Sequence, residues 1–85
     1  MHYVYFLWSN KLQKIYIGET SNVRKRLNYH NGGFQRYTKS GMPWQCIAYV
    51  AFDTKIVAKR EEKRLKKCKN KKYYKRYILE YGKKL

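Results

Sequence analysis

Acidic residues are scarce in this chain. Only Glu19, Asp53, Glu61, Glu62 and Glu80 carry a side-chain carboxylate among its 85 residues. A two-metal catalytic centre needs several carboxylates converging on ions about 4 Å apart, and so few acids are hard to arrange that way. Cysteine is nearly missing too. Cys46 and Cys68 show no CxxC or Cys/His spacing, which argues against a zinc site and leaves two reduced thiols packed in or near the core. A disulfide is not expected, because cytosolic proteins keep their thiols reduced. No stretch reaches the roughly 18 apolar residues that span a bilayer, so no membrane association is expected. The first eight residues, MHYVYFLW, lack a basic segment and a small-residue cleavage site. They read as a strand rather than a signal peptide, and the expected location is the cytoplasm. No Ser/His/Asp or Cys/His constellation is spaced as a hydrolase triad would be.

Basic residues dominate instead. Lys plus Arg number 21 against 5 acids, a formal net charge of +16. Such a chain seeks a polyanion. Ten Tyr, three Phe and two Trp are interleaved with the charge, which suits base stacking as well as phosphate contact. From Lys55 onward there are 14 Lys/Arg against 3 acids, an excess of 11. Singly these are solvated helix residues; together they make a surface for a phosphate backbone. A chain of this length is one domain, residues 1–85, with a small core.

The patterning predicts an α/β (α+β) fold of order ββαβαα. Residues 3–8 alternate as a strand, 9–13 form a polar turn, and 14–18 a second strand, giving an antiparallel hairpin. Thr20-Ser21-Asn22 supplies N-cap candidates for a helix over about 23–30, ended by Asn31-Gly32-Gly33. Residues 34–44, FQRYTKSGMPW, read as a basic, aromatic loop broken by Gly41 and Pro43. A third strand spans 45–52. Asp53-Thr54 caps a long helix to about 67, and Asn70 breaks it from a last helix over 71–81. In that last helix Tyr73, Tyr74, Tyr77, Ile78 and Tyr81 share a face.

Two helices carry polar groups beside their apolar stripes. In the first, Val23 and Leu27 pack, while Arg26 and His30 lie i, i+4 at the edge of the same face. Partial desolvation would strengthen their electrostatics, although a snorkelling Arg and a satisfied core His would look the same. In the long helix, Val57, Ala58, Leu65 and Cys68 form the apolar side, and Glu61 and Glu62 fall within or beside it. A buried carboxylate needs a metal or a cation; an exposed pair such as Glu62 with Lys66 needs neither. Periodicity centres Glu61 slightly and does not choose between the two.

At this point the motifs assemble into a resemblance. Tyr3-Val4-Tyr5, ten residues, then Tyr16-Ile17-Gly18 resembles the GIY-YIG signature with its first triplet varied. The stretch YIGETSNVRKRLNYH matches YIG-x-T-x-[DN]-x-x-x-R-[LI]-x-x-H, placing Thr20, Asn22, Arg26, Leu27 and His30. The later stretches YTKSGMPW and FDTKIVAKREEKRLKK resemble small stand-alone bacterial members of this nuclease superfamily, which also includes the N-terminal catalytic domain of UvrC. In those members the metal-binding Glu lies four residues after an Ala, and here the step from Ala58 selects Glu62. The one departure is Tyr-Val-Tyr in place of Gly-Ile-Tyr, which keeps Tyr5.

The resemblance implies a three-stranded antiparallel sheet flanked by helices. It implies an endonuclease that hydrolyses phosphodiester bonds in DNA, in repair or recombination, with one divalent metal, Mg²⁺ or in its place Mn²⁺, and no small-molecule cofactor. It implies Tyr5, Tyr16, Arg26, His30 and Glu62 as the catalytic set, with Glu62 on the metal, Arg26 on the transition-state charge, and Tyr5, Tyr16 or His30 as general base. The alternative is a non-catalytic, basic nucleic-acid-binding module on the same fold. A ribosomal-type RNA-binding protein would need no convergence of Arg26, His30 and Glu62.

Overall fold

The computed structural model describes all 85 residues. Strands β1 (His2–Ser9) and β2 (Lys14–Thr20) form the hairpin, and Gln13 turns the chain at φ 54°. Helix α1 (Val23–Asn31) follows, then a single helical turn α2 (Arg36–Lys39), strand β3 (Trp44–Phe52), and helices α3 (Lys55–Cys68) and α4 (Lys71–Tyr81). The sheet is antiparallel, in the order β2-β1-β3. The expected order of elements holds, with α2 an added turn inside the segment read as a loop.

Local chemistry accounts for the ends. The side chains of Asn22, Thr54 and Asn70 accept hydrogen bonds from the backbone N–H of Lys25, Val57 and Tyr73, each satisfying a donor that the first helical turn leaves unpaired. Between α3 and α4, Lys69 takes a left-handed conformation at φ 47°, so the chain reverses there. Asn70 therefore begins α4 as its cap.

The central strand is not the half-buried strand that alternation suggests. Val4, Tyr5, Phe6 and Leu7 are all buried, because both sheet faces are covered. On one face Val4, Phe6, Ile17 and Ala48 pack with Ala58 and Leu65 of α3 and Tyr74 and Tyr77 of α4. On the other, Tyr5 and Leu7 pack with Val23 of α1 and with Trp44. Truncating a fully buried residue such as Leu65 would cost roughly 2–5 kcal/mol. Tyr81 lies off the packed stripe and is exposed, as is Cys68, so neither joins the core. Beyond α4, Lys83 pairs with Tyr49 through two backbone hydrogen bonds. The tail thus covers part of the outer edge of β3, while β2 ends the sheet on the other side.

Candidate active site

Strand geometry brings the two tyrosines together. Tyr5 stands opposite Gly18 in the β1–β2 register, and Tyr16 is two residues from Gly18 on the same face of β2. With no side chain at Gly18, the Tyr5 ring lies across the strand; a β-carbon there would overlap it. The two phenol rings are 6.4 Å apart. Helix α1 then lowers His30 onto both, at 5.9 Å from the Tyr5 ring and 5.1 Å from Tyr16.

A buried hydrogen-bond chain runs through this cluster. Tyr5 Oη is 2.9 Å from His30 Nε2, and His30 Nδ1 is 2.8 Å from Thr38 Oγ1. The Thr38 hydroxyl donates onward to the Gln35 carbonyl. Its oxygen therefore accepts from His30 Nδ1–H, which leaves the Nε2 lone pair to accept the Tyr5 proton. The chain has one direction, from Tyr5 through His30 and Thr38 to the backbone. Trp44 holds Thr38 in place by donating Nε1–H to the Thr38 carbonyl at 2.7 Å. Asn31 clamps the Trp44 backbone from both sides. Gln35 Nε2 donates to the Tyr16 hydroxyl at 3.4 Å.

Burial sets the protonation of the pair. Desolvation pushes the Tyr5 phenol well above its ordinary range, and Tyr16 adds to this, while Arg26 opposes it. Desolvation, then the Arg26 charge, lowers His30 to about 4. Both are neutral near pH 7, which fits the direction of the chain. The Glu62 and Glu19 charges also raise Tyr5, more weakly. Arg26 itself is exposed, with its guanidinium 5.5 Å from the centre of the Tyr29 ring.

The two adjacent glutamates part company. Ala58, Glu62 and Leu65 form the buried line of α3, whereas Val57 and Cys68 are exposed. The apolar stripe read from the sequence was therefore rotated, and Glu62 replaces Glu61 at its centre. The Glu62 carboxylate lies 3.5 Å from Lys59 and 3.1 Å from Lys66. Lys66 also sits 5.6 Å from the centre of the Tyr16 ring, linking α3 to the β2 edge. Glu61 turns towards α4 instead. It accepts two hydrogen bonds from Arg64 at 2.8 Å and one from Tyr77 at 2.7 Å, and the Arg64 bonds hold its carboxyl below the usual range.

Glu19 is a residue that sequence reasoning did not single out. It is buried on β2, 2.7 Å from His2 Nδ1 and 3.7 Å from Lys59. The Lys59 ammonium thus lies between two buried carboxylates, Glu19 and Glu62. The alternation of Ile15, Ile17 and Glu19 on the α3 face of β2 was the available signal. Thr38 left no such signal, since it sits in a segment without periodicity. No three His, Cys, Asp or Glu side chains cluster as a metal cage. A hard divalent ion would find one buried carboxylate on α3, Glu62, with water and phosphate oxygens left to complete its shell, as Mg²⁺ commonly takes.

The family model for the GIY-YIG catalytic domain matches residues 1–77. Over 67 residues the chain is 40% identical to a structure-specific endonuclease subunit SLX1 homolog of Cryptosporidium parvum, covering 73% of this chain but 16% of that protein. It is 33% identical over 66 residues to a UPF0213 protein of Haloquadratum walsbyi, covering 76% of this chain and 73% of that one. A UPF0213 protein of Clostridium perfringens is 35% identical over 68 residues, covering 79% and 72%. No solved structure matches the chain.

Proposed function

Because this chain belongs to the GIY-YIG family of catalytic domains, we propose that it is a metal-dependent endonuclease that hydrolyses phosphodiester bonds in DNA. The family makes it a nuclease, with nucleic acid as its substrate. The observation that carries the fuller reading is the directed Tyr5–His30–Thr38 chain, with Lys66, the partner of Glu62, seated against the Tyr16 ring beside it.

Glu62 would hold the divalent ion, whose chemistry when bound would be to draw charge from a phosphate oxygen. Arg26, exposed at the mouth of the site, meets the extra negative charge of the pentavalent transition state. Tyr5 and His30 act as one base. As the attacking water bonds to phosphorus it gives its proton to the Tyr5 oxygen, the Tyr5 proton passes to His30 Nε2, and the imidazolium keeps its Nδ1–H on Thr38. The leaving oxygen departs with the P–O bonding pair and takes a proton from solvent. Neither group need ionise beforehand, which matters because burial opposes charge on both. Tyr16, held by Gln35 and facing Lys66, orients the water.

Plasmid nicking tests the reading. Cleavage is expected with Mg²⁺ or Mn²⁺ and none with chelator. Binding without nicking under every divalent ion would identify a non-catalytic module instead.

A further inference from the structure

A second feature adjoins the tyrosines and shares Tyr16, Gln35 and Lys66 with the site above. An open groove of about 970 Å³ runs along the free edge of β2, and Tyr16 forms part of its wall. Lys14, Lys66, Lys69 and Lys71 rim it, and no acid lines it. Its floor is apolar, with Ile15, Ile17 and Trp44. Tyr37 stands at its margin with 79% of its surface exposed, its ring 6.1 Å from that of Tyr16. Cations around an apolar, aromatic floor are the chemistry of single-strand binding, in which lysines follow the backbone and aromatic rings stack on bases.

Size and chemistry suit this groove to a single strand rather than a duplex. Its volume is at the upper end of small-ligand sites, about 300–1,000 Å³, enough for a few nucleotides of one strand. The bases of a duplex are already stacked on each other and cannot reach Tyr37. A separate, shallow depression on the outer face of α3 is surrounded by Lys55, Arg60 and Lys63 and leaves basic surface outside the groove.

We propose that the β2-edge groove receives an unpaired DNA strand, so that the preferred substrate is a duplex bearing a single-stranded arm, cut near the point where the arm leaves the groove at Tyr16. This rests on the nuclease reading for its cut but not for its binding. In the bound state one base stacks on Tyr37, and the phosphates on either side pair with Lys69 and Lys71.

The test uses the full chain carrying Glu62→Gln, without divalent ions, so that binding is read with no turnover. Fluorescence anisotropy, at matched salt for each comparison and over a salt series for the slope, compares a blunt duplex, the same duplex with a single-stranded DNA arm, and the same duplex with an RNA arm. The DNA-armed duplex is expected to bind at least about tenfold more tightly than the blunt one, the effect of one good base stack. Adding Tyr37→Ala should erase that preference and leave blunt-duplex affinity unchanged. Adding Lys71→Gln should lower the salt dependence for the armed duplex alone, by about one phosphate contact. Equal affinity for blunt and armed duplexes would overturn the proposal, as would a Tyr37→Ala effect equal on both. Tighter binding of the RNA arm would overturn the choice of DNA. If the unaltered chain nicks no DNA, the nuclease reading fails while this preference still stands or falls on its own measurement.

Discussion

Gly18 lies directly beneath the Tyr5 ring, where a β-carbon would overlap the phenol hydroxyl. The third residue of the YIG triplet is therefore a space requirement for the first strand's tyrosine. Gly18→Ala is expected to displace Tyr5 from His30, because the ring is 2% exposed and has nowhere to retreat. Overpacking of this kind costs about 1–3 kcal/mol. Urea denaturation should show that loss, and plasmid nicking should fall at least about a hundredfold, in the range of a lost general base. A variant as active as the parent would contradict the account of Tyr5.

The adjacent glutamates should separate activity from stability. Glu62→Gln keeps the size but removes the charge a divalent ion requires, so nicking should vanish while DNA binding persists. Glu61→Gln breaks the pairing with Arg64 and weakens the bond from Tyr77. It should lower stability by about 1 kcal/mol and spare nicking. An inactive Glu61 variant beside an active Glu62 variant would reverse the assignment.

Thr38 should behave as a positioning residue. Thr38→Val leaves the buried His30 Nδ1–H without an acceptor, costing about 1–3 kcal/mol, and frees the imidazole to change tautomer. We expect kcat to fall with KM little changed. Thr38→Ser, which keeps the hydroxyl, should recover most of kcat. If serine rescues no better than valine, the hydroxyl is not what matters.

The buried imidazole also predicts a pH dependence of folding. His30 falls from 6.5 in the unfolded chain to about 4 in the fold. Between these values the unfolded chain binds more protons, so stability rises with pH there. The contribution is complete above pH 6.5 and is lost as the pH falls towards 4. Its size is at most about 3 kcal/mol. His30→Gln should flatten this part of the stability curve, measured as the difference between variant and parent so that the other titrating groups cancel. Parallel curves would show that His30 does not titrate as its burial requires.

Salt should weaken binding steeply. The 14 Lys/Arg from residue 55 onward supply phosphate contacts that release counterions. Six or more such contacts would reduce affinity about a thousandfold between 50 and 200 mM salt. Affinity that stays flat over that range would contradict a backbone-binding surface.

Most elements were legible because their signals are local. Caps at Asn22, Thr54 and Asn70, the hairpin, and the helical periods all arise from side chains within a turn or two of each other. The turn at residues 36–39 was not, because a one-turn helix has no period to read and is held by distant partners such as Trp44. The exposure of Cys68 and Tyr81 escaped for a related reason: near a helix end, nothing in the period says where the neighbouring element stops.

The choice between Glu61 and Glu62 marks the boundary most clearly. The sequence by itself determined that two acids lie beside an apolar stripe on a basic helix, that Tyr5 and Tyr16 sit on paired strands, and that Arg26 and His30 share a helical face. These are consequences of 3.6- and 2-residue periods, which the chain carries wherever it folds. The step from Ala58 in the resemblance selected Glu62, and the tertiary structure supplied the contacts, with Glu62 in the buried line of α3 and Glu61 turned to Arg64 and Tyr77. The tertiary structure alone brought Thr38 under His30 and set Lys59 between Glu19 and Glu62. Those contacts depend on how α3 is rotated against β1 and β2 and on where a loop without periodicity comes to rest. Both are settled by packing on two faces of one sheet, a property of the whole fold and of no segment within it.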